Sequence, residues 1–175
     1  MAIFRELRDI ELAVLTATGG AVAMAVALGT ERFGGLVPCA LCLVERWPYR
    51  IVVVLGVAAM LLRRPWSHRV LWAAVAVFAV AAGLGALHAG VEFGWWPSPL
   101  PECAAPRLAS GGVARMLASM PAHPSKPCDD PTFLVPGLPV SMAALGGLYA
   151  LVFALGLAIS LWFKRERAPW TRRRA

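Results

Sequence analysis

Two stretches of this chain, Val70 to Ala89 and Val140 to Phe163, contain no charged side chain. A helix of about 20 apolar residues is as long as the hydrocarbon core of a bilayer is thick. A third uncharged run, Leu12 to Leu28, and a shorter one, Ile51 to Leu62, bring the number of candidate spans to four. The composition agrees: of 175 residues, 59% are apolar and only 15% charged, against roughly 45–50% and 25% in soluble domains. Four spans of about 20 residues leave no room for a large globular domain. The reading is therefore all-α: a single membrane domain over 1–175, folded as a four-transmembrane-helix bundle.

The spans are placed at about 12–28, 43–62, 70–89 and 140–163. The second needs its first turns to complete the crossing, so Arg46 and Arg50 are expected there, snorkelling outward. The small residues Ala17, Gly19, Gly20, Ala21 and Ala23 of span one suit close helix–helix approach in lipid. The net charge of +7 does not point to nucleic acid, because the basic clusters abut the apolar runs. With both termini inside, the inner segments hold eleven of the seventeen Lys and Arg residues, at 5–8, 63–69 and 164–174. The positive-inside rule then places both termini in the cytoplasm, with the basic tail at 164–175 as an inner-leaflet anchor. All seven Trp residues fall near span ends, as an aromatic belt requires.

The outer loops cover about 29–42 and 90–138. The second holds most of the prolines, and its Val113, Met116, Leu117 and Met120 follow helical spacing. A short amphipathic helix lying on the membrane surface is expected there, or one packed on the bundle. A cleaved signal peptide over residues 1–28 is the alternative for span one. Glu6, Asp9 and Glu11 in the would-be basic region speak against it.

Cys39, Cys42, Cys103 and Cys128 are the only cysteines, and all lie in or beside the outer loops. On the oxidising side of a bacterial envelope two disulfides can form, in any of three connectivities. Local pairing, Cys39–Cys42 and Cys103–Cys128, is the simplest. A Cys39–Cys42 bridge closes too short a loop to staple much, which favours redox use over a structural role. Arg46 shares a helical face with Cys42 if the helix has begun by then, and would favour its thiolate. Glu45 would oppose this unless aimed elsewhere. Pro48 is tolerated if the helix starts near Glu45 and kinks it otherwise. His88, near the outer end of span three, has Glu92 four residues on as a natural partner. His68 and His123 look solvated. Two readings compete with redox chemistry. One is a four-span structural or scaffold protein with two inert disulfides. The other is a zinc site, for which Cys103 and Cys128 would have to complete the ligand set without a second C-x-x-C; no metal is assigned.

The tract Pro38-Cys39-Ala40-Leu41-Cys42-Leu43-Val44-Glu45-Arg46 resembles the first outer loop and second helix of the DsbB family. Trp96-Pro97-Ser98-Pro99-Leu100-Pro101-Glu102-Cys103 resembles the entry to its second loop, and Cys128 matches the fourth cysteine in place. The family comprises bacterial inner-membrane proteins that reoxidise the periplasmic thiol oxidase DsbA with quinone. The resemblance implies that Cys103–Cys128 meets a DsbA-like thioredoxin-fold partner, and that electrons pass through an interloop Cys39–Cys128 bridge. Cys39–Cys42 then hands them to ubiquinone or menaquinone. It further implies that Arg46 holds a quinone oxygen near Cys42, and that His88 borders the quinone. The cysteine loops would be periplasmic. The proline-rich second loop and Glu102 before Cys103 depart from simple expectation and bear on partner choice.

Overall fold

A computed structural model describes residues 9–103, 112–114, 126–134, 137 and 139–171, with side chains described as far as 163. Its architecture is all-helical. The long helices are α1 (Asp9–Arg32), α2 (Ala40–Leu61), α3 (Trp66–Glu92) and α4 (Met142–Thr171), and Pro101–Cys103 forms a 3-10 turn before the second loop. Three of them, α1, α3 and the Met142–Phe163 part of α4, are long and apolar enough to cross a membrane. Any crossing-length stretch of α2 includes Glu45, Arg46 and Arg50.

The helices outrun the uncharged runs at almost every end, because backbone hydrogen bonding continues into the polar interface where side-chain hydropathy no longer marks it. The start of α2 is the instructive case. Cys39 is its N-cap, and its sulfur accepts a hydrogen bond from the Cys42 amide at 3.1 Å. That satisfies one of the amides a helix start leaves open, so the helix begins at Ala40 rather than near Leu43. Pro48 consequently lies inside the helix, where it lacks the amide that would bond the Val44 carbonyl. At the other end Leu62 turns extended and Pro65 follows. The Ser67 hydroxyl donates to the Ala59 carbonyl at 2.9 Å and ties α3 back to α2.

Each helix packs chiefly on its neighbour in sequence: α1 on α2, α2 on α3, α3 on α4, while α1 and α4 barely touch. Small residues permit this closeness, as expected of span one: Gly56 of α2 faces Ala17, and Gly20 of α1 faces the Tyr49 backbone. The core is stacked in three layers along the bundle. Leu12, Ala59, Leu71 and Leu161 fill one end. Tyr49, Val52, Phe78 and Ala154 fill the middle. Cys39, Leu41, Val91, Cys103 and Cys128 form the third layer at the opposite end. Large apolar side chains such as Val54, Val80, Leu148 and Val152 point outward from the helices, the pattern of a protein whose solvent is lipid.

Arg64, in the α2–α3 connection, holds Asp9 at the start of α1 in a two-point fork. The start of α1 and this connection therefore lie at the same end of the bundle. Arg64 is well exposed, at 62%, while Asp9 is only 13% exposed, so the pair is partly screened. Asp9→Asn is expected to lower stability by less than about 1 kcal/mol in a thermal melt of the detergent-solubilised protein. His68, expected to be solvated, is half-buried and accepts from the Trp72 indole at 3.2 Å. Of the amphipathic segment, residues 113–114 are helical; Met116, Leu117 and Met120 lie outside the described residues, as do His123 and the side chains of the basic tail.

Candidate active site

The four cysteines form two disulfides, Cys39–Cys42 and Cys103–Cys128, with Cα–Cα distances of 5.1 and 4.9 Å. The local pairing expected from the sequence is the one present. The two bridges come from loops far apart in the chain, yet belong to one apolar cluster, with Leu41 and Val91 among them and Leu87 and Leu100 packed against it. Cys39 pairs with Lys126 in an isolated parallel bridge, and the Cys128 amide donates to the Cys103 carbonyl at 3.3 Å. Lys126 is anchored in turn by Thr132 Oγ1 at 2.7 Å and Asp130 at 3.2 Å. Cys103 and Cys128 are 3% and 1% exposed, so an incoming thiolate reaches neither without parting the cluster. The accessible disulfide that direct exchange calls for is covered here.

Cys39 sits at the positive end of the α2 dipole, a position that favours a thiolate once the bridge is opened. A second group supports the same sulfur. His88 of α3 is buried, with Nε2 at 3.5 Å from Cys39 Sγ and Nδ1 at 2.9 Å from Glu45 Oε1. A carboxylate only accepts, so Nδ1 carries a proton toward Glu45, while Nε2 lies against Cys39 Sγ. Glu45 is thus aimed at the histidine and away from Cys42. The pairing expected within α3, His88 with Glu92, is replaced by one between helices. The α2–α3 packing sets Glu45 directly against the buried ring, whereas Glu92 sits beyond the ring at the end of its helix.

Arg46 also departs from expectation. It is turned inward, 9% exposed, with Nη1 2.7 Å from Glu31 Oε2 at the end of α1. A partly exposed counter-charge on the neighbouring helix takes the place of the outward snorkel. Arg50, one turn on, does face outward and lies over the Trp47 ring at 5.1 Å.

Between α1 and α4, where the bundle is least closed, lies a cavity of about 230 Å³. Val22 and Val26 form one wall, Leu145 and Tyr149 the other, and Cys42 and Arg46 face it from α2. Tyr149 donates to the Gly19 carbonyl at 2.9 Å and Tyr49 to the Gly146 carbonyl at 2.8 Å. These two phenols pin the helices together at the cavity base. Cys39, Glu45, His88 and Glu92 complete the lining, and Glu92 Oε2 is buried without a hydrogen-bond partner among the described residues.

The structure thus brings Cys39, Cys42, Arg46 and His88 to one cavity and stacks Cys103–Cys128 against it. Sequence reasoning missed Glu31 and the two tyrosines. Glu31 carried no signal, since its partner lies on another helix. Tyr49 did: positions 42, 46 and 49 share a helical face once the helix starts at Ala40.

No curated protein and no solved structure matches the chain. Among family models, that of disulfide bond formation protein DsbB matches residues 9–163. With nearly the whole chain matched and both cysteine pairs closed in one cluster, the protein belongs to the DsbB family of membrane disulfide-generating oxidoreductases.

Proposed function

We propose that this protein oxidises a DsbA-like periplasmic dithiol protein and passes the two electrons to a membrane quinone. The observation that carries the reading is the place of Cys39–Cys42: it faces a largely apolar cavity in the α1–α4 seam, with the second disulfide packed behind it. Once the cluster covering it parts, a thiolate of the reduced partner attacks Cys103 Sγ and breaks its bond to Cys128. The freed Cys128 thiolate attacks Cys39, giving the interloop Cys39–Cys128 bridge and releasing Cys42 as a thiolate. The partner's second thiol then resolves the mixed disulfide, and Cys103 recovers its bond to Cys128, leaving Cys39 and Cys42 as a dithiol. Each step breaks one S–S bond and makes one.

The residues present fit a quinone. The walls are aliphatic and aromatic, Arg46 offers N–H donors toward a carbonyl oxygen, and Glu92 Oε2 is an acceptor with no donor among the described residues. When bound, quinone takes up the two electrons and two protons that re-forming Cys39–Cys42 gives off. In this reading Arg46 holds both the acceptor and the Cys42 thiolate, and His88 accepts the Cys39 proton, with Glu45 stabilising the imidazolium. The α1–α4 seam, where these helices barely touch, would give such a group a lateral way in from lipid.

In the same reading α2 is the fourth span. It turns Ile51, Val54, Val57 and Leu61 outward and Glu45 and Arg46 inward, which lets a charged helix face lipid. Both termini are then cytoplasmic and the cysteine loops periplasmic, in the inner membrane.

The test is quinone reduction by the purified protein, driven by a reduced DsbA-like partner. Arg46→Ala removes a charge-assisted contact of about 1.5–3 kcal/mol, so quinone kcat/KM is expected to fall roughly 10- to 100-fold. Arg46→Lys should recover part of it. The burial of Cys103 and Cys128 favours one rival, a scaffold with two inert staples. That rival predicts no quinone reduction with any dithiol partner while both bridges remain intact.

A further inference from the structure

Sequence reasoning weighed a metal site built from the four cysteines. The fold offers a different ligand set. Cys39 Sγ, Cys42 Sγ and a ring nitrogen of His88 all lie within 4.8 Å of one another. The separation of Cys39 Sγ and His88 Nε2 is 3.5 Å. Bonds of about 2.3 Å to sulfur and 2.0–2.1 Å to nitrogen, in a tetrahedron, place two such ligand atoms about 3.6 Å apart. The distance already fits, without any metal to impose it. His88 is also held from behind as metal-binding histidines commonly are: its other nitrogen is bonded to the Glu45 carboxylate at 2.9 Å. A disulfide blocks such a site, because its sulfur atoms are spent on each other.

We propose that reduction of Cys39–Cys42 opens a binding site for a thiophilic divalent cation, Zn²⁺ or Cd²⁺, made by Cys39, Cys42 and His88. Glu45 fixes the histidine, and a water from the cavity fills the fourth position. The two thiols give up two protons and become thiolates, and neutral His88 adds through Nε2. No electrons move in this step; they are supplied beforehand by whatever reduced the disulfide. The metal holds the dithiol form and competes with its reoxidation. The other charged groups lining the cavity near the cluster are Glu31, Arg46, Glu92, Lys126 and Asp130. The proposal rests on the reading of Cys39–Cys42 as a reducible pair, and its test separates the two.

The experiment uses the full chain in detergent, carrying Cys103→Ser and Cys128→Ser so that one cysteine pair remains. It is reduced with a phosphine, freed of reductant without oxygen, and its thiols are counted. Cd²⁺ alone is then titrated in, read by thiolate-to-cadmium ultraviolet absorbance and by equilibrium dialysis. One Cd²⁺ per chain is expected for protein with two thiols, and none for oxidised protein. His88→Ala and Glu45→Gln are each expected to weaken binding at least 10-fold. Glu45→Gln keeps all three ligands, so it serves if His88→Ala does not fold. Two counted thiols without bound Cd²⁺ overturn the site. Binding of equal strength in both variants overturns it as well, since a bare thiolate pair would then suffice. A pair that resists the phosphine overturns the redox reading itself, and the site with it.

Discussion

Cys42→Ser is expected to oxidise at most one equivalent of partner dithiol per chain and to reduce no quinone. Cys103–Cys128 remains able to accept one pair of electrons. The variant holds that one disulfide, so once the partner's second thiol has resolved the mixed disulfide at Cys103, Cys39, Cys103 and Cys128 are all thiols and no S–S bond is left to exchange. Cys42 is the cysteine that is only half-buried while its three counterparts are covered, and it lines the cavity. Its loss cuts the path to the acceptor without disturbing the exchange behind it. Counting oxidised partner against protein, with a count of the thiols left on the variant, measures both halves. Repeated turnover by this variant would show that electrons leave by another route.

A second large effect is expected where α3 meets α4. A Cβ on Gly85 of α3 would lie 2.5 Å from the Gly147 Cα of α4 and 3.1 Å from the Ala143 carbonyl oxygen. These are backbone atoms and have no rotamer with which to give way, so the helices must separate. Overfilling a packed contact costs about 1–3 kcal/mol; Gly85→Ala should fall in that range and Gly85→Val above it. Gly83, two positions earlier, has nothing within 4 Å of its would-be Cβ, and Gly83→Val is the control for side-chain size alone. Thermal unfolding in detergent compares them. Because His88 lies just under one turn beyond Gly85, the unfolded fraction and lost activity should rise together in Gly85→Val. A Gly85→Val protein as stable as Gly83→Val would mean that α3 and α4 are not held at this distance.

Three of the four long helices were legible because exclusion from lipid is a property of composition: a run without charge announces itself whatever it packs on. The cysteine pairing was legible because local closure is geometrically simplest. The start of α2 was not, since a sulfur acting as an N-cap looks like any C-x-x-C. The inward turn of Arg46 and the His88–Glu45 bond were hidden for another reason. Each is settled by a residue on a neighbouring helix, Glu31 or Glu45, and helix packing is not written in the spacing of one segment. Within-helix spacing made Glu92 the natural partner for His88, and the contact across helices won because it reaches the ring where it is buried.

The N-cap at Cys39 makes one atom serve two masters. The sulfur that caps the helix is also, in the proposed reaction, the sulfur that changes oxidation state, so the helix acts as a fixed lever on that redox couple. An anion at a helix N-terminus gains about 0.3–1 kcal/mol. For a two-electron couple, that corresponds to a shift of roughly 6–20 mV toward the more oxidising side. The shift is built into the backbone and asks for no additional side chain. In the proposed reaction, where electrons are drawn from a partner's dithiol, part of the pull comes from where one helix begins.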